Sequence, residues 1–254
     1  MDAPSFQLIA LPGIPIIKPG DDLSRLILEA VSRAGEHLRD GDIVSVTSKI
    51  VSKSEGRFVR LADVVPSERA LELAQLTGKD PRIVELNLRE SVEISRTGIN
   101  TMVTRHRLGF VSANAGIDQS NVDGTDETVL LLPVDPDQSA RQIRSAIQSA
   151  ANARVGVIIT DSHGRPFRLG NVGVAIGVAG MPALVDLRGG ADMFGRILRV
   201  SVQGYADMVA SAACLLTGEG AEGLPVILVR GLHYPDIDGC ASEINRPPET
   251  SLYK

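Results

Sequence analysis

The stretch Val155 to Phe167 (VGVIITDSHGRPF) constrains the fold most. Its continuous apolar run reads as a buried strand that ends in Asp161-Ser162, which sets a carboxylate and a hydroxyl at the strand's C-terminal edge. Gly164 and the cations Arg165 and Arg168 follow at once. Hard oxygen donors beside guanidinium groups suit a divalent cation and a phosphate. A strand end capped by Asp and a glycine turn would carry the same residues, so the stretch alone leaves both readings open.

The elements around it are legible from punctuation and periodicity. Phe6 to Ile17 (FQLIALPGIPII) reads as an edge strand and a turn, and Asp21 or Asp22 caps a predicted helix from Leu23 to about Arg39. Ile43 to Thr47 (IVSVT) is a short strand. Helices are predicted over Pro66 to Thr77 and Pro81 to Ser91, which makes 64–95 a helical excursion between β-rich stretches. Strand pieces follow at Met102 to Thr104, Leu108 to Ser112 and Thr128 to Leu132, then a helix from Ser139 to Ala151 behind the turn Pro133 to Asp137. The remainder reads as a Gly-rich strand region from Val172 to Val185, a strand at Ile197 to Val202, a helix from Tyr205 to Leu216 and a last strand at Val226 to Val229. Strands and helices mix without regular alternation, so the fold class is α+β, an irregular mixed α/β arrangement. One domain over 1–232 and a polar C-terminal tail over 233–254 are expected.

Composition narrows the partners. The chain has 254 residues, 43% of them hydrophobic, which excludes a disordered polymer. Aromatics are 3% with no Trp, so stacking platforms for single-stranded nucleic acid are scarce. A net charge of −5 gives no global attraction to nucleic acid or to an anionic membrane, and any anion must meet a local basic patch. Cys214 and Cys240 fit no metal or CxxC spacing, and Cys214 falls in a run that looks like buried helix. The longest uncharged stretch, Leu169 to Val185, is broken by four glycines and Pro182, so it is no membrane span. With Lys18 as the first basic residue, no secretion signal is expected, and the protein reads as soluble and cytoplasmic.

Three further segments carry candidate chemistry. Asn114 to Asn121 (NAGIDQSN) is rich in side-chain oxygen, with Asp118 as a second carboxylate, although an Asx-rich loop needs no ligand. Leu216 to Pro225 (LTGEGAEGLP) lets backbone N–H groups approach an anion, but it is no Walker motif and also suits a helix cap and turn. In Ser45 to Arg57, Lys49, Lys53 and Arg57 stand four residues apart among serines. On a helix they would repel one another, which favours an anionic partner such as a nucleotide triphosphate over a solvated turn. His37 and His106 read as surface positions, whereas His163 stands beside the Asp161 site; no zinc pattern is present.

Taken in order, LPGIPIIKPGDDL, GDIVSVTSKIVSKSEGR, NAGIDQSNV, LLPVDPDQSA, VGVIITDSHGRPFRLG and TGEGAEGLPVILVRGL resemble the coenzyme F420-0:L-glutamate ligase family, from about Gln7 to Leu232. The resemblance implies a γ-glutamyl ligase that uses GTP and Mg²⁺ or Mn²⁺, with K⁺ as a further candidate ion, to join L-glutamate to coenzyme F420-0 and to add a further glutamate in some members. It implies a homodimer of intertwined chains. By motif, Asp118, Asp161, Ser162 and Glu219 would be metal ligands. Ile14, Pro15, Ile16, Ile17, Ser48, Lys49, Lys53 and Asn121 would line the GTP site together with the loop Thr217, Gly218, Glu219, Gly220, Ala221, Glu222, Gly223 and Leu224. Asp118, Asp161 and Lys53 are the candidate catalytic residues. Asp161-Ser162 stands where the family usually has Asp-Thr, which keeps the hydroxyl, and His163 and Thr217 are less typical. The deazaflavin would lie on aliphatic surface or on an aromatic such as Phe167 or Phe194, and the Gly-rich stretch Val172 to Val185 would suit close backbone packing in a dimer. A γ-glutamyl ligase for another carboxylated acceptor and a non-catalytic nucleotide-binding homologue are the alternatives.

Overall fold

A computed structural model describes residues 3–251. Its centre is a five-stranded sheet built from β1 (Gln7–Ala10), β2 (Ile43–Thr47), β8 (Gly156–Arg165), β9 (Arg168–Ala179) and β12 (Val226–Arg230), in the order β1-β12-β2-β8-β9. β2 and β8 run parallel, and the other pairs are antiparallel. Alternate residues serve two cores, because successive side chains on a strand point to opposite faces. Val44, Val46, Val157, Ile159 and Leu228 meet α1 (Leu23–Arg33) and α5 (Pro136–Ala151) on one face. Ile43, Ile158, Ile227 and Val229 meet α6 (Tyr205–Thr217) on the other. With helices on both faces, the central strands need no polar side, and this explains the continuous apolar run before Asp161.

Between α2 (Ser48–Ser54) and α5 the chain makes an excursion from the central sheet that is longer than 64–95. It holds β3 (Phe58–Arg60) paired with β7 (Thr128–Leu130), the helices α3 (Glu68–Thr77) and α4 (Pro81–Glu90), and a three-stranded sheet of β4 (Ser91–Gly98), β5 (Thr101–His106) and β6 (Val111–Ala113). Two small cores stabilise it, one around Leu73, Val84 and Met102, the other around Leu61, Leu86 and Val129. Within it, Arg57 and Arg107 converge on the carboxylate of Glu90 at the end of α4.

Several sequence expectations are corrected. The first helix stops at Arg33 rather than Arg39, because Gly35 takes the left-handed conformation (φ +71°) and ends the turn; Asp22 is the cap, accepting from the Arg25 backbone N–H. The excursion is less helical than expected, since Ser91–Gly98 is a largely exposed strand with no apolar alternation to announce it. Leu108 to Phe110 is a turn around Gly109 (φ +98°), and the strand begins at Val111. Over 197–202 there is an isolated bridge at Ile197, and a short strand β11 (Val202–Gln203) pairs with β10 (Val185–Asp186). His106 is fully buried, not a surface residue. The glycines of the Val172 to Val185 stretch make their close approaches within the chain. A Cβ on Gly173 would stand 2.5 Å from the Ala210 carbonyl oxygen, and one on Gly177 would collide with the Pro136 backbone. Both cysteines are free thiols, and Cys214 on α6 is half-buried. From the tail, Tyr234 and Ile244 pack on the second core. Among the described residues no helix is long and apolar enough to cross a membrane.

Candidate active site

Parallel pairing sets the carboxyl end of β2 beside the middle of β8, with Ile43 opposite Gly156 and Thr47 opposite Thr160. This is where open sheets containing parallel strands present residues to ligands. Beyond Thr47 the chain turns directly into α2, whereas β8 runs on into a hairpin with β9. Ser48 and Asp161 therefore face each other where the pairing stops, with Ser48 Oγ 3.4 Å from Asp161 Oδ1. The other carboxylate oxygen, Oδ2, is 3.0 Å from His163 Nε2.

The loop of the excursion closes over this point. Asp118 is fixed by a reciprocal backbone pair with Leu130, its N–H and C=O each 2.9 Å from the partner group. Asn114, Ala115 and Gly116 all have positive φ, and Gly116 brings the turn to within 3.5 Å of Asp161 Oδ2 as measured from an added Cβ. No larger residue fits there, since the same Cβ would stand 2.7 Å from Leu132. Lys49 Nζ reaches Asp118 Oδ2 at 3.2 Å and the Ser120 carbonyl at 3.0 Å. Lys53, one helical turn on and 9% exposed, donates to the carbonyls of Asn121 (2.7 Å) and Val122 (2.8 Å). Lys49 and Lys53 of the basic strip thus share a helical face placed on this loop, whereas Arg57 lies beyond α2 and turns to Glu90 and the Leu132 carbonyl. Burial and the neighbouring Lys49 push the Lys53 ammonium below its ordinary pKa. Burial pushes the Asp118 carboxyl up, Lys49 draws it back, and Asp161 and Glu219 push it up further.

The glycine loop completes the cluster from the other side. Asn121 Nδ2 donates to the Gly220 carbonyl at 3.1 Å, and Ser162 Oγ donates to Glu219 Oε1. Glu222 accepts from the Gly220 N–H, and Gly218 holds φ +68°. Ser162 and Asp161, as neighbours on a strand, point to opposite faces. Ser162 reaches the cluster through Glu219, while Asp161 lies on the Ser48 and Gly116 side.

Other predicted residues take different places. Ile17 is buried in the main core with Ile14 packed on it, whereas Pro15 and Ile16 are exposed. Thr217 ends α6 and donates to the Ala213 carbonyl, Ala221 and Gly223 are exposed, and Leu224 is half-buried. Arg165 and Arg168 pair with each other at the exposed hairpin tip, about 13 Å along the strand from Asp161, so they are not beside Lys49 and Lys53. Phe110, which packs between His106 and His163, escaped sequence reading altogether.

The donors at the cluster are oxygens: the carboxylates of Asp118, Asp161 and Glu219 with the hydroxyls of Ser48 and Ser162. Among the described residues no three His, Cys, Asp or Glu side chains stand together so that they could hold a metal ion by themselves. Such an open, oxygen-only set fits Mg²⁺ or Mn²⁺, which bind through one or two carboxylates and take the rest of their shell from phosphates and water. It does not resemble a structural zinc site.

The model of the family described as F420-0:Gamma-glutamyl ligase matches residues 13–231. The chain belongs to this family. Its relatives include proteins named coenzyme F420:L-glutamate ligase from Methanothermobacter thermautotrophicus (44% identical; 98% of this chain and 99% of the relative) and Methanopyrus kandleri (44%; 99% and 98%). A third, with the same name, is from Methanocaldococcus jannaschii (42%; 95% and 94%). These matches support a ligase, and the matched region holds every residue of the oxygen and lysine cluster.

Proposed function

We propose that this family member joins L-glutamate to coenzyme F420-0, with GTP as the energy source and Mg²⁺ or Mn²⁺ as the required ion. The observation that carries the reading is the grouping of the Asp118, Asp161 and Glu219 carboxylates, with Lys49 paired to Asp118, where the pairing of β2 and β8 stops. The charges of Asp161 and Glu219 both push the Asp118 carboxyl up, and a bound cation would relieve that repulsion.

A carboxylate is a poor acylating agent, so amide formation first requires a leaving group. A carboxylate oxygen of F420-0 attacks the γ-phosphorus of GTP, the bond to GDP breaks, and an acyl phosphate forms. The glutamate amine then attacks the acyl carbon, loses a proton and expels inorganic phosphate. The chain's part is positioning and charge neutralisation. Asp118 and Asp161 would hold the divalent ion, Glu219 would add oxygen from the glycine loop with Ser162 of β8 orienting it, and Lys49 would meet phosphate oxygens. Lys53 would fix the loop that carries Asp118. Bound there, the ion would neutralise charge developing on the transferring phosphoryl group. A homodimer accords with the exposed apolar side chains Phe167 and Leu169 at the hairpin tip and Met193 and Phe194 on the loop beyond, each more than nine-tenths exposed.

The decisive assay follows GDP and phosphate release in the presence of GTP, Mn²⁺, F420-0 and L-glutamate. Stoichiometric release that needs both acceptor and amino acid is expected. Release with another carboxylated acceptor but not with F420-0 would reassign the substrate, and GTP binding without release would make the chain a nucleotide-binding protein. Asp161→Asn should abolish turnover while the protein stays folded; unchanged kcat at saturating Mn²⁺ would remove Asp161 from the site.

A further inference from the structure

An aromatic column that originates in the excursion leads to Asp161. His106, fully buried, stacks on Phe110 with centroids 5.0 Å apart and planes 4° from parallel. Phe110 in turn meets His163 at 4.8 Å and 50°. His163 is 9% exposed, and its Nε2 is 3.0 Å from Asp161 Oδ2. A carboxylate can only accept, so Nε2 carries the proton and donates. At the base of the column, His106 Nδ1 accepts from the Leu108 N–H while Nε2 faces Glu90, 3.5 Å away, which Arg57 and Arg107 hold.

The ring of His163 has somewhere else to go. Beside it lies a cavity of about 160 Å³ whose walls include Phe110, Val174, Asp207 and Asn245. Asp207 has one oxygen on the Ala175 N–H and is a second carboxylate toward which the imidazole can swing. Phe110 lines the same cavity and lies against the imidazole, its ring centroid 4.8 Å away.

We infer that Phe110 and His163 are positioning residues: Phe110 keeps His163 on Asp161 Oδ2, which leaves Oδ1, on the Ser48 side, directed at the ion. The inference rests on the metal role proposed for Asp161. Hydrogen-bond partners behind a metal ligand fix its orientation, and their loss costs about 10- to 100-fold in metal affinity.

The test measures Mn²⁺ affinity by the electron paramagnetic resonance signal of free ion, with GTP present, alongside thermal melting and the KM and kcat for GTP. His163→Leu should weaken Mn²⁺ binding about tenfold. Phe110→Ala should do likewise although it touches no proposed ligand, and Phe110→Tyr should restore most of the affinity. Asp161→Asn is the control. If it lowers Mn²⁺ affinity while Phe110→Ala lowers only the melting temperature, the positioning role is wrong and the metal role stands. If Asp161→Asn binds Mn²⁺ as the natural chain does, the metal reading itself fails.

Discussion

Replacing Glu90 by Gln tests the buried charge cluster that holds the excursion together. Glu90 is 9% exposed and accepts from Arg57 at 3.2 Å and from Arg107 at 3.1 Å, with His106 Nε2 at 3.5 Å. Burial alone would raise its pKa, but His106, Arg107 and Arg57 outweigh burial and hold it at about 2, against an ordinary 4.5. A tenfold change in proton affinity is worth about 1.4 kcal/mol, so the ionised carboxylate contributes about 3 kcal/mol to folding. The folded value lies below the unfolded one. The contribution is therefore complete above about pH 4.5 and is lost as pH falls toward 2. Glu90→Gln keeps the shape and removes the charge, so urea unfolding at pH 7 should show a loss of about 2–3 kcal/mol. The difference between the two proteins should shrink steadily as unfolding is repeated from pH 5 down to pH 2.5. A loss at pH 7 below about 0.5 kcal/mol, or a difference independent of pH, would refute the electrostatic account.

Two other substitutions probe packing around the site. Gly173→Ala should cost about 1–3 kcal/mol, because its Cβ would meet the Ala210 carbonyl and Cys214 Sγ at 2.5 Å and push α6 outward; a melting temperature equal to that of the natural chain would refute this. Arg230→Met should cost about 3–5 kcal/mol by leaving Asp42, 1% exposed and bound at 2.8 Å, as an uncompensated buried charge. The double change with Asp42→Leu should recover part of that loss in chemical denaturation, and no recovery would point to a packing role for the guanidinium instead.

Local pattern made much of the fold readable, and long-range pairing explains what was not. Ile43–Thr47 could be read because every one of its positions is covered, and α5 could be read because Asp135 and Pro136 mark its start. Periodicity could not reveal that β8 continues through Asp161 to Arg165, since only the partner strand β9 keeps those polar residues extended. That one fact moves Arg165 and Arg168 away from the site and turns Ser162 to the face opposite Asp161. His106 was misread for a related reason: its charged neighbours in sequence suggest a surface, but Glu90, which it faces, comes from another element. The carboxylates of the site were visible as residue types, whereas their meeting needed the register of two parallel strands and two loops distant in sequence, one carrying Asp118 and the other Glu219.

The two lysines on α2 show how similar residues one turn apart divide the work of such a site. Lys53 spends its charge on two carbonyls and is shielded from solvent, so it acts on the structure of the 120–122 loop. Lys49 is more exposed and holds a carboxylate, Asp118, that a cation would also claim. A cation on Asp118 would weaken its hold on Lys49 and free the ammonium for a phosphate oxygen, so ion and nucleotide should bind cooperatively through this pair. Lys53→Met should therefore lower stability by about 2 kcal/mol, as expected for the loss of charged hydrogen bonds to buried carbonyls. Lys49→Met should change stability by less than about 0.5 kcal/mol. It should nevertheless weaken nucleotide binding about tenfold and reduce the dependence of that binding on Mn²⁺, because the competing charge is gone. Titration calorimetry of GTP at several Mn²⁺ concentrations separates the two roles. If Lys49→Met proved the destabilising change and Lys53→Met the one that uncoupled ion from nucleotide, the division of labour argued from their burial would be reversed.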